Sequence, residues 1–226
     1  MSRRLKLVFS KTAEEKKINI VVDNAPVEQV KSFTYLGQLV TEDGRSDKEI
    51  LRRIGIGKSV FSRMSRLLTN REITLKTKLR MAQCFILSTV TYASETWSIS
   101  HQMEKRITSL EMWLYRRILK ISYASHTSNE AVLQKIGIKE PFLLEMIKYR
   151  KLRFYGHIRR HDTMQRILLE GKVEGKRGRG RRRQSWTTNI ADYTAETINR
   201  CSVLALDRNT WRRTMAFNPA RRMKPR

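Results

Sequence analysis

Apolar residues alternate with polar ones only near the start of the chain; from about residue 46 they recur at three- and four-residue steps. Ile18 to Val22 (INIVV) is a β-branched run closed by the turn formers Asp23, Asn24 and Pro26. Val30 to Leu36 places Phe33 and Tyr35 on alternate positions, and after Gly37 a third run, Leu39 to Thr41, ends in Glu42, Asp43 and Gly44. These runs predict a small antiparallel sheet of two or three strands. Alone it would be marginal, so it reads as a piece of a larger sheet.

Ile50, Ile54, Phe61, Met64 and Leu68 share one face of a helix from Ser46 to about Leu68, with Asp47 and Glu49 in its first turn, where the dipole favours negative charge; Gly55 and Gly57 weaken it locally. Thr74 caps a second helix that runs to about Thr91; its half from Cys84 to Val90 is apolar nearly all round, which predicts the most buried helix of the set. Ser100 starts a third, with Met103, Ile107, Leu110, Leu114 and Ile118. Three such helices with short connections predict a compact bundle. A short helix from Glu130 to Ile136 stops at Gly137, and Pro141 opens a long one, Phe142 to Arg160. Its apolar face (Leu144, Ile147, Phe154, Ile158) opposes Lys148, Arg150, Lys151, Arg153, Arg159 and Arg160. Trp186 to Arg200 and Asp207 to Phe217 predict two further helices, Asp207 capping the second. The fold class is therefore mainly α: a small N-terminal antiparallel sheet, a helical bundle, and a basic, partly disordered C-terminal region that includes the Arg-rich tail from Pro219.

Charge changes the picture more than composition does. With 40% hydrophobic and 30% charged residues the chain should fold, but it carries a net +26. The first fifty residues contribute +1, residues 51 to 113 +7, and residues 114 to 226 +18. The back half must live beside a polyanion or be held apart by its own repulsion. The segment from Gly171 to Trp186 is the extreme: seven Lys or Arg (Lys172, Lys176, Arg177, Arg179, Arg181, Arg182, Arg183) stand against Glu174, with Gly175, Gly178 and Gly180 between them. Such a segment forms no core; it is either a solvated linker or import signal, or a grip on phosphates.

Other chemistry is sparse. Cys84 and Cys201 stand far apart, which fits a reducing, intracellular compartment; no signal peptide opens the chain, and no run approaches the roughly 18 apolar residues of a membrane span. His157 and His161 are four apart but lack a third ligand for zinc. The acid pairs Glu14-Glu15 and Glu42-Asp43 read as solvated turns. Aromatics sit among the cations: Trp113 and Phe154 read as core, as does Trp211, which precedes Arg212 and Arg213, while Trp186 is open to either core or base stacking.

Nine short stretches stand in a familiar order, among them Val30-Lys-Ser-Phe-Thr-Tyr-Leu-Gly37, Glu49-Ile-Leu-Arg-Arg-Ile54, Tyr92-Ala-Ser-Glu-Thr-Trp97, Tyr155-Gly-His157, Gly175-Lys-Arg-Gly-Arg-Gly-Arg181 and Asp207-Arg-Asn-Thr-Trp211-Arg. Together, over about residues 18 to 215, they resemble the C-terminal end of reverse transcriptases of non-LTR retrotransposons, the long interspersed type that carries an endonuclease upstream. The resemblance implies that residues 1–44 are a remnant of the polymerase palm edge, 45–125 a thumb-like bundle, 126–170 a basic helical connector, and 171–226 an Arg/Gly-rich segment plus short helices. It also implies that Phe33, Tyr35, Leu36 and Gly37 form the turn that supports the primer end. The metal-binding aspartates, and with them Mg²⁺, would belong to the palm upstream, so no cofactor is expected in this chain and Met1 would open a truncated reading frame. Two departures stand out: the family usually reads Gly and Cys where this chain has Ala93 and Ser94.

The expected function is that of a nucleic-acid-binding fragment, unable to polymerise alone. Lys148, Arg150, Lys151 and Arg153, the run Lys176, Arg177, Arg179, Arg181, Arg182 and Arg183, and Trp186 would contact RNA or DNA, mainly at the backbone. The nucleus is the expected location, no membrane or small-molecule substrate is expected, and the upstream polymerase region is a candidate partner. The alternative is a host protein that reuses the bundle for protein contact, with the basic run as a nuclear-import signal.

Overall fold

A computed structural model of the chain describes residues 5–8, 18–171 and 184–215. It is mainly helical, with short strands at the N-terminal end. The strands do not form one antiparallel sheet as the alternation predicted. β1 (Leu5–Leu7) pairs in parallel with β4 (Glu28–Val30), β2 (Val21–Val22) pairs antiparallel with β3 (Ala25–Pro26), and β5 (Ser32–Tyr35) pairs antiparallel with β6 (Gln38–Thr41). The run from Val30 to Leu36 splits at Lys31, so each strand is only two to four residues long. Asp23 and Asn24 turn the first hairpin and Leu36 and Gly37 the second, all with positive φ.

α1 (Asp47–Leu68) buries Ile50, Phe61 and Leu68. Gly57 is a close-packing point rather than merely a weak one, because a Cβ there would lie 2.5 Å from Val90 Cγ2. α2 (Leu75–Met81) is capped by Thr74 as expected, but it passes through a π-helical turn, Ala82–Leu87, into the last turn α3 (Ser88–Val90). That wider turn shifts the phase of the faces. Ile86, Leu87 and Val90 point inward, whereas Cys84 is exposed and Phe85 is 54% exposed, so the half expected to be buried all round is two-sided.

α4 (His101–Ile118) starts at the Ser100 cap, and α5 (Asn129–Ile136) runs from the Ser128 cap to the left-handed Gly137. α6 (Leu143–Arg160) begins two residues beyond Pro141. Its start is fixed by a side chain from α4: buried Glu111 accepts the amides of Phe142 (3.0 Å) and Leu143 (2.9 Å) and the Tyr115 hydroxyl (2.6 Å). Orphan donors at a helix start are satisfied here by a carboxylate from across the core. Burial pushes the Glu111 carboxyl up, against the pull of these three donors.

α7 (Met164–Glu170) follows, with none of its residues buried. The stretch expected as one helix from Trp186 to Arg200 is two, α8 (Trp186–Thr194) and α9 (Ile198–Leu204); Ala195 breaks it with φ 55°, and Thr197 caps the second. α10 (Arg208–Thr214) carries the expected Asp207 cap. The described residues form two apolar clusters. One joins α1, the π turn, α3, α4, α5 and the first half of α6; the other joins Leu152 and Tyr155 of α6 to Ile190, Cys201, Ala205, Trp211 and Met215. Among the described residues no helix is long and apolar enough to cross a membrane.

Candidate nucleic-acid interface

The β5–β6 turn is clamped from below. The Gly37 carbonyl accepts hydrogen bonds from Arg52 Nη2 (2.6 Å) and from the Arg53 guanidinium, and the Leu36 carbonyl accepts the Tyr92 hydroxyl (2.8 Å). Arg53 lies 4.4 Å over the Tyr92 ring. Both arginines are held by buried Glu49, at 2.7 Å each, and Glu49 also accepts the Leu39 amide at 3.0 Å. Burial opposes the Glu49 charge, but the donors on Arg52, Arg53 and Leu39 outweigh it and hold the carboxyl below its ordinary range. The clamp offsets a strained backbone: Leu36 has φ 48°, a left-handed conformation that costs a branched residue about 1–2 kcal/mol. Phe33, Tyr35 and Leu36 are left 40%, 62% and 75% exposed. The sequence points to the turn but not to its support. An acid four residues before Arg53 on a helix was the available signal.

The cations of α6 divide. Lys148 pairs with Glu145 at 3.0 Å and lies over Tyr193, and Arg150 donates to the Thr91 carbonyl (3.1 Å) and hydroxyl (2.8 Å). Arg153 is exposed. Lys151 corrects the expected outward face, for it is fully buried, donating to the Trp97 carbonyl and to Asn189 Oδ1 (2.7 Å) beside the rings of Trp186 and Tyr193. Burial pushes its ammonium down to about 7. Lys151 is one turn from Ile147 and one turn from Tyr155, both buried, so it belongs to the inward stripe. Trp186 is half-buried, its indole N–H donating to the Glu95 carbonyl (2.8 Å) and its ring 6.3 Å from Phe154. Lys176, Arg177, Arg179, Arg181, Arg182 and Arg183 lie outside the described residues.

A groove of about 610 Å³ opens along α6, and Arg150, Arg153, Arg160, Arg208 and Arg212 line it. Among the described residues Glu95 is the one acid that lines it. α10 is seated there by Trp211, whose indole N–H donates to the Leu152 carbonyl (2.9 Å). Only glycine fits beneath it: a Cβ on Gly156 would lie 2.4 Å from Trp211 Cδ1. Arg160 Nη1 donates to the Ala205 carbonyl (2.9 Å). Burial, then the neighbouring Arg208 and Arg212, hold the Arg160 guanidinium below its ordinary range, only partly offset by Asp207. Among the described residues none of the five guanidiniums forms an ion pair. His157 and His161 also reach the groove, their rings 4.4 Å apart. Among the described residues no three of His, Cys, Asp and Glu gather where they could share a metal ion. The sequence sets Trp211 beside Arg212 but gives no sign that Arg160, Arg208 and Arg212 share a groove.

An uncharacterized transposon-derived protein of Caenorhabditis elegans is 24% identical to this chain over 198 residues, which are 82% of the chain and 70% of that protein. No protein-family model matches, and no solved structure matches. The likeness is thus to a protein named for descent from a transposon, consistent with a transposon origin for this chain.

Proposed function

We propose that the chain is a nucleic-acid-binding C-terminal portion of a non-LTR retrotransposon reverse transcriptase, gripping RNA or DNA mainly by its backbone and acting in the nucleus. One observation carries the reading: five guanidiniums line a single groove with no ion-paired carboxylate among the described residues. Such a cluster is electrostatically unfavourable until an anion fills it, and arginine forks suit phosphate. The clamped β5–β6 turn, with exposed Phe33, Tyr35 and Leu36, is consistent with a rigid support for a strand end. Similarity to a transposon-derived protein supports the same reading.

Neutralising about five phosphates should make affinity fall roughly 10²–10³-fold between about 50 and 200 mM salt. Fluorescence anisotropy with labelled RNA and DNA tests this. Arg153→Gln combined with Arg208→Gln and Arg212→Gln should abolish most binding and flatten the salt slope; binding that ignores both salt and these changes refutes the reading. A protein-docking role has one observation in its favour, the exposed Met164, Ile167 and Leu168 on α7. It predicts capture of a protein partner that is lost in Ile167→Lys while nucleic-acid affinity stays unchanged.

A further inference from the structure

We infer that the groove along α6 and α10 takes an unpaired nucleic-acid strand, holding phosphates on its guanidiniums and a base against Tyr149 or Phe154. This rests on the nucleic-acid reading above and adds to it the form of the ligand.

Size is the first argument. A volume of about 610 Å³ is that of a small-molecule pocket, room for roughly two nucleotides but not for a duplex. Residues 149 to 160 of the lining extend about 16 Å along α6 at its helical rise, so the site is elongated, as a strand requires. Depth is the second argument. Arg153, Arg208 and Arg212 are exposed, whereas Arg150 and Arg160 are half-buried and already fixed by the carbonyls of Thr91 and Ala205. A duplex, with grooves about 6 and 12 Å wide between its phosphates, would rest across the mouth and reach the outer three only. A flexible single strand can enter and reach the inner two as well.

Aromatic lining is the third argument. Tyr149 and Phe154 are half-buried and stand among the arginines, which is the pairing of stacking platform and cationic track that binds unpaired bases without sequence preference. Phe154 is braced edge-on by Trp186, which itself is tied to the Glu95 carbonyl, so the platform is set before ligand arrives.

The experiment compares labelled single-stranded RNA, single-stranded DNA and a duplex, each about twelve nucleotides long, and a mononucleotide, against the full chain, Phe154→Leu and Arg212→Gln. The expected result is single-strand affinity more than roughly tenfold above duplex affinity, falling about five- to hundredfold in Phe154→Leu while weak duplex binding is unchanged. Arg212 is exposed, so Arg212→Gln keeps the fold and should weaken all forms. The RNA and DNA arms separate the two sources of the strand. Equal single-strand and duplex affinity, both lost in Arg212→Gln, overturns this inference and leaves the nucleic-acid reading standing. A mononucleotide that binds as tightly as the strand overturns it too. If no nucleic acid binds even at low salt, the underlying reading falls.

Discussion

Lys151 of α6 donates to Asn189 of α8 across 2.7 Å in the protein interior, and Asn189 in turn accepts the Ile99 amide (2.8 Å) and donates to the Ile99 carbonyl (2.9 Å). A buried ammonium with only neutral oxygen acceptors is poorly stabilised, which is why burial pushes it down to about 7. In the unfolded chain it returns toward its ordinary value of 10.5. Between those limits the unfolded state holds the proton and the folded state does not, so stability rises with pH from about 7 to about 10.

Urea titrations across that range should show a slope approaching about 1 kcal/mol per pH unit in excess of the background. In Lys151→Met the excess slope should vanish. An unchanged pH slope in that variant would show that Lys151 is not its source.

Gly156→Ala should unseat α10. The added methyl meets the Trp211 ring at 2.4 Å, and overpacking of this kind destabilises by about 1–3 kcal/mol. Because Arg208 and Arg212 ride on α10, nucleic-acid affinity should fall as well. Chemical denaturation and anisotropy read the two effects separately.

Removing the buried carboxylate in Glu111→Ala strands the amides of Phe142 and Leu143 and the hydroxyl of Tyr115. Unsatisfied buried donors cost about 1–3 kcal/mol each, though water entering the gap offsets part of it. A loss of at least about 2 kcal/mol in urea unfolding is expected, with Glu111→Gln in between.

Glu49→Gln should loosen the β5–β6 turn without unfolding the helices. The Leu39 amide, which donates to Glu49, should exchange with deuterium at least about tenfold faster. Since the Glu49 carboxyl is held low, its stabilisation is present above the ordinary carboxylate range and is lost as pH falls through the depressed value. Acidification alone should therefore lower the protection factor of the Leu39 amide in the parent protein, measured against the slower intrinsic exchange at low pH.

The helices were legible because their signals are local. Thr74, Ser100 and Asp207 each cap where a hydroxyl or carboxylate precedes a 3.6-residue pattern. The groove was not legible, since Arg153 and Arg212 lie 59 positions apart in sequence and meet only through the seating of Trp211 on Gly156. The short strands misled because alternation fixes which face a residue takes but not its partner strand, and β1 finds β4 in parallel across a long separation. Lys151 misled for a different reason. A lysine's type points outward, but its position between Ile147 and Tyr155 places it on the buried stripe.

α6 contributes its first half to one apolar cluster and its second half to the other, with the arginine groove along the latter. It acts as a shared spar, so neither cluster can melt without fraying a helix the other depends on. Heating should then give one calorimetric transition rather than two, and an anion seated near the far end of the spar should raise the midpoint of the whole.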